Sequence, residues 1–400
     1  MKFVYDVMHD SYYWADETKV LTLEQIYAHG NDVTLLNDLK HKKDRFSYIM
    51  DIKSHDDYFI KGETKSFGFT PAVIKDENDA FKELAVRFVY PDSPMSKAGL
   101  KRGDTIVGID GFDILTILRS QTLIDKYFDS SSEDMSADFE LEDRNITVAK
   151  GSFKIKTVST YKIVNFENKK VAYLHFKSFI GTSNDALDAV FTKFKESAVD
   201  ELVLDLRYNG GGYVHVARHL ATLIGGSYVY GKVLERTLFN VKYRKYDYDT
   251  KFEGYNNKAL DLKRVFIIAD GNTASASEII INSLSAKDNE VEVIQIGTPT
   301  YGKPYGMIGG KYCDSFILPI QFAGVNADGF GEYDEGLYPL CRGYDNLKYE
   351  LGNTNESMFS DALFYMKNGK CKEYYKKSRA KVEDKSKPLT YGFRGLHGLY

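Results

Sequence analysis

An α/β core carrying a β-rich appendage is the fold class predicted for this 400-residue chain, and three observations predict it. From residue 152 onward, short apolar strand-like runs alternate with helical ones. Residues 66–150 contain only brief β-type runs bounded by turn residues. Residues 3–60 place apolar side chains at helical intervals. The length suits two or three modules sharing a large core, and 43% hydrophobic with 28% charged residues is ordinary for a globular chain. The expected units are a small helical N-terminal unit (1–65), a β-rich unit (66–150), an α/β core (151–356) and a C-terminal helix with a charged tail (357–400).

In chain order, Val7, Tyr12 and Trp14, then Leu21, Leu23, Ile26, Leu35, Leu36 and Leu39, define the helical N-terminal unit. Strand-like runs follow at 67–70, 85–90, 105–109 and 146–148. Among them, residues 91–104 read as a short helix ended by Gly99 and a tight turn into the next strand. The core predicts a strand at 170–176, then an amphipathic helix at 184–196 with Leu187, Val190, Phe191 and Phe194 on one face. A strand at 201–207, a helix at 214–224, a strand at 264–269, a helix opening near Ser275, a strand at 291–296 and a run at 316–325 complete it. This alternation implies a mostly parallel or mixed sheet. Phe359, Ala362, Leu363 and Tyr365 mark a last helix, and the charged stretch 370–387 reads as a solvated tail.

Composition narrows the function. A formal charge of −4 without a basic run gives no reason to expect a nucleic-acid partner. Thirty tyrosines suggest surface contact with a peptide or polymer. Cys313, Cys341 and Cys371 follow no metal-ligand spacing and no disulfide framework, although Cys313 and Cys341 could bridge. His215 and His219 lie four apart on one predicted helix, a spacing open to metal ligation or to a base for a serine; without a third ligand at a recognisable spacing they read as structural, and no metal or other cofactor is expected. The glycine turn at 209–212 lacks the lysine of a phosphate loop and the fuller dinucleotide fingerprint. No apolar leader follows Met1-Lys2 and no stretch is long enough to span a membrane, so the chain is expected either in the cytoplasm or in the cell envelope with its leader removed.

The chemistry concentrates in two short segments. Ser275 follows a strand and a turn and opens an apolar helix, where the helix dipole and the free amides of the first turn favour negative charge. Alone, Ser275 or Thr273 would read as a helix cap. Lys303 lies across one helix and one strand, where neighbouring sheet positions can return it to the serine. An amine that takes the serine's proton must be neutral, and an apolar pocket around Tyr301, Pro304 and Tyr305 favours that form. Residues 203–207 run as a buried strand into Asn209-Gly210-Gly211-Gly212, whose bare backbone can aim amides at an oxyanion.

These motifs resemble known families. Residues 91–104 are similar to a PDZ domain, and the resemblance puts Phe67, Gly68 and Phe69 where that family holds a peptide's terminal carboxylate. Thr273-Ala274-Ser275-Ala276-Ser277-Glu278, Thr300-Tyr301-Gly302-Lys303 and the 205–212 segment resemble the C-terminal processing peptidases over roughly residues 66–340. The resemblance implies a crotonase-like ββα spiral core with a PDZ-like domain inserted in it or preceding it. It also implies a serine endopeptidase acting on protein or peptide tails, with Ser275 as nucleophile, Lys303 as general base, and the amides of Ala276 and Gly211 or Gly212 as the oxyanion hole. Where relatives commonly carry a glutamine that orients the lysine, this chain has Met307. The 302–307 and 326–336 segments resemble the Bacteroides-type envelope branch, whose members are usually exported and often lipid-anchored, so any membrane contact is expected only through a lipid anchor on a removed leader. Met307 and the tyrosines motivate the alternative, a weakly active or inactive peptide- or polymer-binding envelope protein on the same scaffold. Acyl-CoA chemistry on a related spiral is disfavoured by the PDZ-like unit.

Overall fold

The computed structural model describes residues 1–76, 78, 80–128 and 135–373. Its centre is a mixed six-stranded sheet in the order Val158–Phe166, Lys169–Phe176, Glu201–Asp205, Arg264–Ala269, Glu292–Gly297, Cys341–Arg342. The first pair is an antiparallel hairpin and every later pair is parallel. Both faces of such a sheet must be covered, and the period-2 alternation of the strands supplies both. Ala172, Leu174, Leu202, Leu204, Val265 and Ile267 point to one side, where helices Ser183–Glu196, Val214–Gly225 and Ala276–Leu284 pack. Val171, Tyr173, Val203, Phe266 and Ile268 point to the other, against helix Ser357–Asn368 through Met358, Phe359 and Ala362.

A second, antiparallel sheet runs in the order Tyr248–Lys251, Val233–Phe239, Ile320–Val325, Tyr305–Met307. The single run expected at 316–325 is two strands, Ser315–Leu318 and Ile320–Val325, which belong to different sheets. Pro319 separates them, and a residue without an amide hydrogen cannot continue a ladder.

The N-terminal unit is helical only in part. Helices Lys2–Asp10, Leu23–Ala28 and Asp32–Leu39 bury Val4, Met8, Ile26, Leu35 and Leu36 together. Tyr48–Asp51, expected to be helical, is instead a strand paired with Ser315–Leu318. Tertiary pairing overrides local periodicity there, because Ile317 and Ile320 share the apolar cluster of the helices.

Between the N-terminal unit and the core, strand Glu63–Ser66 pairs antiparallel with Gly151–Lys154, so the chain leaves and re-enters along one ribbon. The excursion holds a sheet in the order Phe69–Lys75, Phe81–Val89, Thr105–Ile109, Ser136–Leu141, Asn145–Ala149, with helices Ile114–Leu118 and Gln121–Phe128. It has its own core around Leu84, Val86, Ile106, Ile109, Ile117 and Phe139. The excursion is fastened to the core by buried charge. Arg102 donates to Arg87 O at 2.5 Å, Tyr208 Oη at 2.8 Å and Tyr349 O at 3.0 Å, and it pairs with Asp345.

Cys341 is bonded to Cys371, while Cys313 is free and exposed. The bridge considered between Cys313 and Cys341 is therefore not formed. Cys313 sits in the turn between strands Gly310–Tyr312 and Ser315–Leu318, whereas Cys341 is buried at the edge of the central sheet beside the end of the last helix. Among the described residues no helix is long and apolar enough to cross a membrane. The expected charged tail lies, beyond residue 373, outside the described residues.

His215 and His219 are separated in role. The His215 ring stacks on Tyr213, with centroids 5.1 Å apart. His219 spends both nitrogens on carboxylates, Nε2 on Asp188 Oδ1 at 2.8 Å and Nδ1 on Glu253 Oε2 at 3.0 Å, and Lys258 joins Asp188 at 2.6 Å. Burial opposes the imidazolium, but the hydrogen bonds to Glu253 and Asp188 outweigh it, so His219 titrates above its ordinary value. A raised folded pKa adds stability that is full below the unfolded value of 6.5 and lost as pH rises through the folded one. The difference in thermal midpoint between the protein and His219→Ala is therefore expected to be largest at about pH 5.5 and to shrink steadily on the alkaline side. A gap that widens with pH would contradict this assignment.

Candidate active site

Three loops meet at the carboxyl ends of the central strands. The loop after Arg264–Ala269 carries Ser275, which sits just before helix Ala276–Leu284 with φ +55° and ψ −116°. For a residue with a Cβ this backbone costs about 1–3 kcal/mol, and such strain persists only where neighbours enforce it. The neighbours here are identifiable. Thr273 Oγ1 donates to Leu206 O at 2.9 Å, Ala274 N to Asn209 O at 3.1 Å, and Ser277 Oγ to the same Asn209 O at 3.0 Å. Ser275 N donates to Glu278 Oε2 at 2.8 Å.

The loop after Glu201–Asp205 carries the glycines. A Cβ on Gly211 would stand 2.8 Å from both Ala274 O and Ser275 Cβ, and one on Gly212 would stand 2.1 Å from Phe179 O. Only bare backbone allows this approach, and it brings the glycine turn against the serine. The Gly211 amide, however, donates to Asn209 Oδ1 at 2.9 Å. It is thereby withdrawn from the role of oxyanion donor expected for it, leaving the amides of Gly212 and Ala276, which donate to no other group among the hydrogen bonds of the described residues. Asn209 does double duty here, since its Nδ2 donates to Phe176 O at 2.8 Å and anchors the turn to the sheet.

The third loop, after Glu292–Gly297, carries Lys303, which is 3% exposed. Its Nζ lies 3.6 Å from Met307 Sδ and 5.6 Å from the centre of the Phe46 ring. The thioether, a weak acceptor, thus occupies the neighbourhood expected for a glutamine. Ser275, Lys303, Met307 and Gly212 all line one cavity of about 240 Å³, whose walls include Phe59, Phe316 and Phe322.

Glu278 ties two of these loops together. Fully buried on the first turn of the serine helix, it accepts from Ser275 N at 2.8 Å, Thr300 Oγ1 at 2.6 Å, Gly302 N at 2.7 Å and Lys303 N at 2.9 Å. Burial pushes its pKa above the usual carboxylate value, and the four donors offset this only in part. Sequence reasoning placed Glu278 in the motif without a task. The available signal was the spacing Ser275-x-x-Glu278, the pattern in which a third-position glutamate reaches back to the amide of the capping residue.

The sequence also passed over His55, which lines the same cavity, pairs through Nδ1 with Asp56 Oδ1 at 2.9 Å and stacks on Phe316 at 3.9 Å. Nothing in a lone histidine within a presumed helical stretch marked it. Phe67, Gly68 and Phe69 do not line this cavity. The two rings are buried in the core of the β-rich excursion, Phe67 against Phe139 and Phe69 against Phe128, and Gly68 O accepts from Tyr90 N and Ser93 Oγ. Among the described residues no group of three His, Cys, Asp or Glu side chains is arranged to hold a metal ion.

Comparison with known proteins agrees on one family. Residues 170–318 match the model of peptidase family S41, and residues 1–48 match that of the peptidase S41 N-terminal domain. A "Probable CtpA-like serine protease" of Staphylococcus haemolyticus (strain JCSC1435) is 22% identical over 80% of this chain and 66% of its own length. The chain thus spans just under two thirds of that curated relative. In fold, it is similar to a solved structure from Bacteroides fragilis NCTC 9343 assigned to the S41 proteases (TM-score 0.73, 23% identity, 91% of this chain and 97% of that one). It is also similar to the photosystem II D1 C-terminal processing protease (TM-score 0.51, 17% identity, 84% and 90%). The two family models and the relatives lead to one conclusion: residues 1–48 and 170–318 match peptidase family S41, in a chain similar to the C-terminal processing peptidases.

Proposed function

We propose that the chain is a serine endopeptidase that cleaves flexible protein or peptide tails through an acyl-enzyme on Ser275. One observation carries this reading: Ser275 and Lys303 line a single cavity while Glu278 holds the backbone amides of both. In the first step Ser275 Oγ adds to the scissile carbonyl carbon and its proton passes to the Lys303 amine. The tetrahedral oxyanion accepts hydrogen bonds from the Gly212 and Ala276 amides. Collapse breaks the C–N bond as Lys303 returns the proton to the leaving amine, and water then releases the acyl group by the same route in reverse. Burial against Phe46 and Met307 keeps water from the amine, which must be uncharged to act. The aromatic walls favour an apolar side chain beside the scissile bond.

In this reading the central sheet with its helices is the crotonase-like peptidase core (151–356), the excursion (66–150) is a PDZ-like domain, 1–65 is a supporting unit and, of the C-terminal segment (357–400), helix Ser357–Asn368 covers the far face. With the rings of Phe67 and Phe69 buried, capture of a tail falls to the backbone of 67–69 and the open edge of strand Phe69–Lys75. The Cys341–Cys371 bond supports residence in an oxidising compartment, hence the cell envelope. Met307 supports a second reading, a tail-binding protein with little turnover, because a thioether orients an amine less firmly than an amide oxygen does.

Incubation with a fluorophosphonate, followed by peptide mapping, tests the two readings against each other. A single stoichiometric adduct on Ser275, together with cleavage of casein or a flexible tail peptide, is expected. Saturable tail binding with neither adduct nor cleavage would favour the binder.

A further inference from the structure

The lysine loop is gripped from two sides, and only one grip belongs to the core. Glu278 takes its amides from below, at Gly302 and Lys303. Above, one terminal nitrogen of Arg45 donates to the carbonyls of the same peptides, Tyr301 O at 2.8 Å and Gly302 O at 3.0 Å, and to Asp334 O at 2.9 Å. The Arg45 guanidinium carbon also lies over the Tyr301 ring, 4.6 Å from its centre. Carbonyls are thus held by a cation and amides by a buried carboxyl, across the two peptide groups that lead into Lys303.

The root of Arg45 is rigid. Its neighbour Asp44 accepts from Tyr12 Oη at 2.8 Å and from the amides of Phe46 and Ser47 at 2.9 and 2.8 Å, and Ser47 Oγ accepts from Ile320 N at 2.9 Å. Phe46 is buried with its ring toward the Lys303 amine, yet Arg45 itself is exposed. An exposed side chain contributes little to core packing, so its contacts act on the loop it caps.

We infer that Arg45 is a positioning residue for Lys303, which makes the N-terminal unit an integral part of the active site. The role in turnover rests on the peptidase reading above. Lysine at this position would keep the charge but lose the planar guanidinium that sits over the Tyr301 ring.

Four full-length proteins decide it: wild type, Ser275→Ala, Arg45→Ala and Arg45→Lys. A misplaced catalytic group costs up to about 100-fold, so kcat on a flexible tail peptide is expected to fall about 10- to 100-fold in Arg45→Ala, with KM within about 3-fold. Arg45→Lys should fall between, and millimolar methylguanidinium should restore part of the rate to Arg45→Ala alone. Independently of turnover, hydrogen exchange at the amides of Gly302 and Lys303 should accelerate in Arg45→Ala while the central strands stay protected. Unchanged exchange at those amides, or an unchanged kcat in Arg45→Ala where wild type turns over and Ser275→Ala does not, overturns the inference. Faster exchange in Arg45→Ala alongside a wild type that neither cleaves nor labels would leave the positioning role standing and remove the peptidase reading instead.

Discussion

Replacing Ser275 or Lys303 by alanine is expected to lower tail cleavage by about ten-thousand-fold or more, and the double variant should be no slower than either single one. Groups that act as one unit lose their joint effect once either is gone, so their contributions do not add. Neither change should unfold the protein. Ser275→Ala removes one hydroxyl, and Lys303→Ala leaves the loop backbone on Glu278 and Arg45, since those bonds run through main-chain atoms. In Lys303→Ala the fluorophosphonate adduct on Ser275 should form far more slowly, because in the proposed mechanism the serine then has no base. His55→Ala is the necessary companion, as that imidazole lines the same cavity and carries a carboxylate on its other nitrogen. Steady-state kinetics on the three variants settle the base. If Lys303→Ala cleaves normally while His55→Ala does not, the proton goes to the imidazole and the lysine is a structural group.

The second large effect concerns stability rather than chemistry. Arg207→Met is expected to destabilise the protein by about 3–5 kcal/mol, the usual cost of removing one partner from a buried ionic cluster. Arg207 is completely buried. It takes Asp205 through Nε at 3.0 Å and a terminal nitrogen at 2.6 Å, and Glu356 through the other at 2.8 Å, with Asp345 at 3.4 Å. Burial raises the Asp205 pKa and Arg207 more than reverses it, so Asp205 titrates below its ordinary value. A depressed folded pKa gives stability that is present above the unfolded value and lost as pH falls. Without the guanidinium Asp205 and Glu356 would lose their buried cation, and protonation would relieve them. The deficit of Arg207→Met in urea midpoint should therefore shrink between pH 7 and pH 4. A deficit that is small at pH 7, or that does not respond to acid, would show that the cluster is not held as described.

The alternating strands and helices of the core and the place of Ser275 at the mouth of an apolar helix were legible because they are written in local signals. Alternating apolar runs set the parallel sheet, and a serine opening an apolar helix marked its own position. What escaped the sequence depends on contacts distant along the chain. Asp205 and Arg207 interrupt an apolar strand, and only their meeting with Glu356, 149 residues beyond Arg207, explains why charge is tolerated there. Strand Tyr48–Asp51 exists because Ser315–Leu318 lies beside it, so helical spacing in residues 3–60 was a poor guide. The disulfide partner of Cys341 was set by the end of the last helix, not by the nearer cysteine. The Gly211 amide looked free until Asn209, two residues earlier, folded back onto it.

The paired strands that open and close the β-rich excursion have an evolutionary corollary. Ser66 faces Gly151 across that ribbon, so a tight hairpin could stand in for everything between them without displacing either flank. Such a site would tolerate exchange of the whole excursion for another insert. Outright loss is less simple, because Arg102 would leave with the insert and deprive Asp345 and the Tyr208 hydroxyl beside the glycine turn of a buried cation, leaving Asp345 to Arg207 and Tyr208. Any trimmed descendant should therefore carry a compensating change at position 345 or 208.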